Sequence, residues 1–184
     1  QDKGELDTAM DNYEQAIKIK PDFAEAYSNM GNALQGKGKL DAAIESYKQA
    51  IKIKPDYAEA LYNMGNALKD KGELDAAIDS HKQALKIKPD YAEALYNMGN
   101  ALQEKGELDA AIDSHKQALK IKPHYELARS AKLFQQAHIC DWAAIKEDSE
   151  AIAKLGTLAQ FVDPFGILSL EDAPERHRRR SAIY

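Results

Sequence analysis

Pro21, Pro55, Pro89 and Pro123 follow one another at intervals of 34 residues. A fixed period of this size is the mark of stacked repeats, each a single supersecondary unit. Proline lacks an N–H and clashes with the preceding helical turn, so the period also sets where helices must stop. The units are cut as 24–57, 58–91 and 92–125, preceded by a half-unit, 1–23. Units 58–91 and 92–125 differ only at Lys69/Gln103, Asp70/Glu104 and Asp90/His124. They therefore count as nearly one observation.

Each unit reads as two helices. In 58–91 the first spans about Ala58 to Lys71, with Leu61, Met64, Gly65 and Leu68 on one face at i, i+3, i+4, i+7. Gly72 closes it, as glycine often does just past a helix C-terminus. The second spans about Leu74 to Lys88, with Leu74, Ala77, Ile78, His81, Ala84 and Leu85 inside, and Pro89 ends it. Gly65, Ala77 and Ala84 carry almost no side chain and let antiparallel helices approach closely. One helix pair cannot bury both its faces, so neighbouring units must stack.

The pattern Leu61-x2-Met64-Gly65-x2-Leu68, then Ala77-x3-His81, then Pro89, resembles the tetratricopeptide repeat. The other units match at Tyr27, Met30, Gly31, Leu34, Ala43, Tyr47 and Pro55, and at Leu95, Met98, Gly99, Leu102, Ala111, His115 and Pro123. The half-unit supplies Ala9, Tyr13, Ala16 and Pro21. The departures are methionine for the usual leucine, and His81 and His115 for an aromatic. The expected fold is all-α: a right-handed superhelical solenoid of antiparallel helix pairs, with a C-terminal helical cap and an irregular tail.

"EAYSNMGNAL" at 25–34 and "EALYNMGNAL" at 59–68 and 93–102 each carry two asparagines within a helix. Asparagine is a poor helix former because its side chain competes for backbone hydrogen bonds. Opposite the packing face, Glu59, Tyr62, Asn63, Asn66 and Lys69 share a second helical face. The resemblance implies that first helices line a concave wall. Stacking then expects Asn29, Asn63 and Asn97 in one row and Asn32, Asn66 and Asn100 in another, with Tyr62, Tyr96, Glu59, Glu93 and Lys69 alongside. A neutral amide offers donors and an acceptor together, so such rows can pair with the backbone of an extended peptide whatever its side chains. The competing reading is that the amides brace neighbouring helices or face water. A net hydrogen bond contributes about 0.5–1.5 kcal/mol, so three rungs give weak binding unless the array is longer or the ligand is tethered elsewhere. Glu25, Glu59 and Glu93 occupy the inner positions, and up to residue 125 every basic residue is a lysine. A clamp for a C-terminal carboxylate is not expected.

The period is lost after Tyr125. A helix to about Ile139, with Leu127, Ala131 and Phe134 as its apolar face, and a second from about Trp142 to Gln160, N-capped by Asp141, are expected as capping helices over 126–160. An extended apolar tail and a short basic helix occupy 161–184 and lead toward a further domain. "AHICDW", then "VDPFGILSLEDAPE", looks like the bridge into the catalytic region of the bacterial-type O-linked N-acetylglucosamine transferases, through Cys140, Asp141, Trp142, Pro164 and Phe165. The family's repeats also carry an asparagine row. The resemblance implies a glycosyltransferase parent whose catalytic lobes lie beyond Tyr184, and no enzyme activity in this chain.

Net charge is −5, which argues against nucleic acid as a partner. Arg129 stands alone, and the remaining arginines cluster at Arg176, Arg178, Arg179 and Arg180, a solvated helix face in expectation. A lone cysteine, Cys140, forms no internal disulfide and fits a reducing, cytoplasmic setting. No apolar run is long enough to span a membrane, and no signal peptide is visible. His81 and His115 are core positions a repeat apart, and His124, His138 and His177 lack ligand spacing, so no metal and no cofactor are expected. Two functions remain: a scaffold holding extended protein or peptide segments on its concave face, recruiting substrates for such a transferase, and a structural module that self-associates through exposed repeat ends.

Overall fold

The computed structural model describes residues 3–139 together with 141 and 145. Among them lie eight helices and no strand: α1 (Lys3–Ile19), α2 (Ala24–Gly36), α3 (Leu40–Ile53), α4 (Ala58–Asp70), α5 (Leu74–Ile87), α6 (Ala92–Glu104), α7 (Leu108–Ile121) and α8 (Glu126–His138). The chain forms two compact units, Gln1–Ala101 and Leu102–Tyr184, with α6 running through the boundary. The expected helix over 142–160, the tail over 161–184, Cys140 and the arginine cluster lie outside the described residues.

Within the first unit α1 packs on α2, α2 on α3, α3 on α4 and α4 on α5, and α2 also touches α4. The turn after each first helix has one chemistry. The Gly72 N–H donates to the Lys69 carbonyl at 2.8 Å and the Glu73 N–H to the Leu68 carbonyl at 2.9 Å. This pair of bonds is the Schellman closure, which needs a left-handed residue between them. Gly72 supplies it at φ 86°, as Gly38 and Gly106 do at 71° and 86°. The turn before each first helix is pinned by a cation over a ring: Lys54 lies 4.7 Å from the Tyr57 centroid, Lys88 4.5 Å from Tyr91 and, in the second unit, Lys122 4.8 Å from Tyr125.

The core is thin because its contacts are close. Ala60, Ala67, Ala77 and Ala84 are fully buried, so α4 and α5 are enclosed on more sides than the four-residue stripe of α4 implies. Gly31 is covered by the Tyr47 ring: a Cβ there would come within 2.5 Å of it. At Gly65 the His81 ring plays the same part, at 2.6 Å. Ser80, which the apolar pattern does not mark, is also buried, and its hydroxyl donates to the Ala76 carbonyl one turn back at 2.9 Å.

In the second unit α8 packs on α7 with its polarity reversed from expectation. Leu127 and Phe134, expected inside, are exposed, whereas Lys132, Gln135 and Gln136 are buried. Alignment with α6 explains the reversal. Ala128 and Ala94, 34 residues apart, are both fully buried, so α8 keeps the register of a first helix. Its residues at the core positions of Leu95 and Met98 are Arg129 and Lys132.

Gly65→Ala should destabilise the protein by about 1–3 kcal/mol despite alanine's better helix propensity, because the added methyl overlaps the His81 ring. Urea unfolding checks this. Gly65→Ala combined with His81→Ala should cost less than the sum of the two single changes.

Candidate functional site

Asparagine side chains reach the open face of the first helices because Leu61, Gly65 and Leu68 hold the opposite face of α4 in the core. Asn29, Asn32 and Glu59 are exposed; Tyr62, Asn63, Asn66, Lys69, Glu93, Tyr96, Asn97 and Asn100 are half-buried. All are thus on the surface of α2, α4 or α6.

The two rows are joined to each other along a diagonal. The Asn63 amide donates to Asn32 Oδ1 at 3.0 Å, and the Asn97 amide donates to Asn66 Oδ1 at 2.8 Å. Asn63 and Asn97 of the first row thus each brace the second-row asparagine of the preceding repeat. Asn97 Nδ2 also donates to the Tyr62 hydroxyl at 3.0 Å. The Tyr62 ring in turn lies 4.9 Å from the Tyr91 ring and 5.8 Å from the His81 ring.

A buried residue supports the first rung. Tyr47 is fully buried, but its hydroxyl reaches side chains of the open face, 2.7 Å from Asn32 Oδ1 and 3.1 Å from Gln35 Oε1. One hydroxyl proton is shared between these two acceptors. Burial pushes the Tyr47 phenol well above its ordinary pKa, so it remains a donor. The Gln35 amide donates onward to Asp70 Oδ2 at 2.9 Å. Sequence spacing marks Tyr47 as a repeat position but not as a support for the ladder, and it does not mark Gln35. The available signal is chemical: a tyrosine at a core position needs an outlet for its hydroxyl.

The inner glutamates are ion-paired at the edge of this face. Glu25 lies 3.5 Å from Lys54 and Glu59 lies 3.9 Å from Lys88. These exposed pairs contribute little to stability. Among the described residues, no group of three or more histidine, cysteine or acidic side chains is placed to hold a metal ion, and no helix is long and apolar enough to cross a membrane.

Tetratricopeptide-repeat family models match residues 2–38, 36–72, 65–106 and 92–125. The chain belongs to the tetratricopeptide-repeat family. Solved structures agree. MamA superposes with a TM-score of 0.70 at 30% identity, over 74% of this chain and 80% of that one. MamA from Desulfovibrio magneticus, residue 41 to its end, gives 0.74 at 20% identity, over 83% and 86%. The first tetratricopeptide-repeat domain of Spaghetti (RPAP3), bound to the HSP90 peptide SRMEEVD, gives 0.62 at 20% identity, over 64% and 93%. No curated protein matches the chain. As a tetratricopeptide-repeat protein it is a protein-interaction scaffold.

The family's ring position differs among the repeats. His115 is fully buried with Nδ1 3.0 Å from Gln135 Oε1, and the Gln135 amide donates to Gln103 Oε1 at 2.7 Å. His81, equally buried, has neither ring nitrogen hydrogen-bonded. Burial, aided by the nearby Lys69 charge, lowers its pKa to about 4. The folded protein holds His81 neutral, while the unfolded chain takes a proton near the ordinary value of about 6.5. Its contribution is therefore complete above that value and is lost as pH falls from about 6.5 toward 4, a loss of roughly 3 kcal/mol.

His81→Tyr should remove that loss and add about 1 kcal/mol at neutral pH. Its hydroxyl would reach Asn66 Oδ1 as Tyr47 reaches Asn32. The check is chemical denaturation of both proteins across this range: their stability difference should widen on acidification.

Proposed function

We propose that the open face of α2, α4 and α6 holds an extended peptide by its backbone. The diagonal amide ladder carries this reading. Each cross-repeat bond uses one carbonyl and one amide hydrogen, on Asn32 with Asn63 and on Asn66 with Asn97. An amide side chain has more capacity than one bond consumes. The Asn32 and Asn66 amide groups and the Asn63 and Asn97 carbonyls still offer, per rung, a donor and an acceptor at the surface. Alternating donors and acceptors are what a peptide backbone presents. The bracing also fixes the rotamers in advance, which lowers the ordering cost of binding. The RPAP3 domain, of the same fold, is bound to a peptide.

The resemblance of "AHICDW" and "VDPFGILSLEDAPE" to the bridge of the O-linked N-acetylglucosamine transferases supports a finer reading: the face recruits substrates for a glycosyltransferase of that type. A nucleotide-sugar-binding domain downstream of Tyr184 in the native reading frame is the observation required. A frame that ends without one removes this finer reading and leaves the peptide face untouched.

Neutral, uncharged extended peptides should bind the wild type weakly. Asn32→Ala/Asn66→Ala should weaken that binding about thirtyfold, since each of the two lost hydrogen bonds is worth ~1 kcal/mol. Peptides with alternate backbone amides replaced by esters should bind less well, because the contacts are to the backbone. Calorimetric titration measures both. Equal affinity across proteins and peptides removes the groove, and a mass that rises with protein concentration favours self-association instead.

A further inference from the structure

One position of the open face differs between the repeats in a way that bracing of the ladder does not require. Asn63 pairs with Asn32 at 3.0 Å although the residue of α2 that corresponds to Tyr62 is Ser28, which is buried. α4 and α6 carry Tyr62 and Tyr96 at that position, 34 residues apart and both half-buried. All of these residues lie in the first unit.

Tyr62 is held from two sides. Its oxygen accepts from the Asn97 amide at 3.0 Å, and its ring lies 4.9 Å from the Tyr91 ring at an angle of 37°. Accepting leaves the phenolic hydrogen to donate. Asn66 uses its carbonyl for Asn97, so its amide group also has hydrogens to donate. The acceptor at this rung is the Asn97 carbonyl, and donors therefore outnumber acceptors. Tyr62 and Tyr91, both half-buried, leave part of each ring at the surface beside those donors. The nearby charges are paired: Lys88 lies 3.9 Å from Glu59 and 4.5 Å from the Tyr91 centroid. The rung suits a neutral ligand.

We propose, resting on the peptide reading of the open face, that its ligand is a polyproline II segment with proline at every third residue. Period separates the two extended conformations. Successive first helices touch, as α2 does α4, and packed helices lie roughly 8–10 Å apart. Polyproline II has three residues per turn at about 3.1 Å each, so residues i and i+3 show the same side about 9 Å apart. A β-strand shows the same side every second residue, roughly 7 Å, and has turned its other side by the next rung. Chemistry agrees with the period. Proline has no N–H, so such a segment offers more carbonyls than N–H groups, as the surplus of donors requires. One proline ring lies on Tyr62 and the next on Tyr96, and the residues between them supply an N–H to Asn97 Oδ1. The segment is already in its bound conformation, which lowers the cost of ordering it.

The test uses the full chain and three fluorescein-labelled neutral peptides, followed by anisotropy. They are Pro-Ala-Gln-Pro-Ala-Gln-Pro, its permutation Pro-Ala-Pro-Gln-Pro-Ala-Gln, and the strand-forming Thr-Val-Thr-Gln-Thr-Val-Thr. The first should bind about tenfold tighter than the other two, the worth of two ring contacts. Tyr62→Ser/Tyr96→Ser, which gives α4 and α6 the residue of α2, should abolish that preference and leave the three peptides alike. Tyr62→Phe keeps the ring, so the preference should survive while the first peptide binds about fivefold more weakly for want of the hydroxyl. Circular dichroism checks that both variants are folded. Equal binding of the three peptides by the wild type, or tighter binding of the Thr-Val peptide, overturns the proline ligand and leaves the peptide face standing. Binding of none of them overturns both. A preference undiminished in Tyr62→Ser/Tyr96→Ser also overturns the proposal, because the proline contact then lies away from these rings.

Discussion

The structure depends on a ring lying directly on a glycine. Tyr47 covers Gly31 and His81 covers Gly65, at distances that leave no room for one more carbon. This contact sets how closely the two helices of a repeat approach. The close approach explains why the surrounding core is mostly alanine, with Ala43, Ala50, Ala77 and Ala84 fully buried. A glycine inside a helix costs about 1 kcal/mol relative to alanine. Burial of an aromatic or imidazole ring in the space it leaves more than offsets that. The same ring carries the core's chemistry outward: Tyr47 ends at Asn32 on the open face. Position and polarity of the ladder therefore follow from the packing beneath it.

The ladder resolves the presence of two asparagines in each first helix. Two such residues cost a helix roughly 1 kcal/mol together. One cross-repeat hydrogen bond returns about 0.5–1.5 kcal/mol. The two are of the same size, so bracing alone accounts for the asparagines surviving in the fold without giving a net gain. Bracing and binding are also not alternatives at the level of atoms. The bond from Asn97 to Asn66 leaves the Asn97 carbonyl and the Asn66 amide unspent, and it holds them at a fixed angle. An amide used on one side becomes a better-ordered partner on the other.

Much of the repeat region was legible because periodicity carries it. The helix bounds follow from Pro55, Pro89 and Gly72 to within a residue or two, and the core and open faces of α4 follow from spacing alone. The diagonal pairing did not follow. Spacing places Asn63 and Asn97 in one row, but which atoms meet depends on the offset between stacked helices, and spacing along the chain does not give that offset. The faces of α8 were read the wrong way round for a related reason. Hydrophobicity points to Leu127 and Phe134, whereas the inherited repeat register buries Ala128, Lys132 and Leu133. Where pattern and register disagree in α8, register prevails: Ala128 is fully buried, as Ala94 is at the same position of the preceding repeat.

The three rings show how far a position can drift once its volume is fixed. Tyr47, His81 and His115 are each fully buried, and each fills the space beside a glycine or the next helix. Their polar atoms meet different fates: Tyr47 finds Asn32 and His115 finds Gln135, while both nitrogens of His81 go without a partner. The sequences of repeats 58–91 and 92–125 are almost the same, so the difference between the two histidines comes from their neighbours. α8 supplies Gln135 to His115, at the position where α6 has Ala101. His115 is thus satisfied by the helix that follows it, whereas the corresponding position after His81 is Ala101, which has no polar side-chain atom. The stability of each repeat is then a property of the pair, and a substitution in one helix must be judged by the residue its neighbour presents.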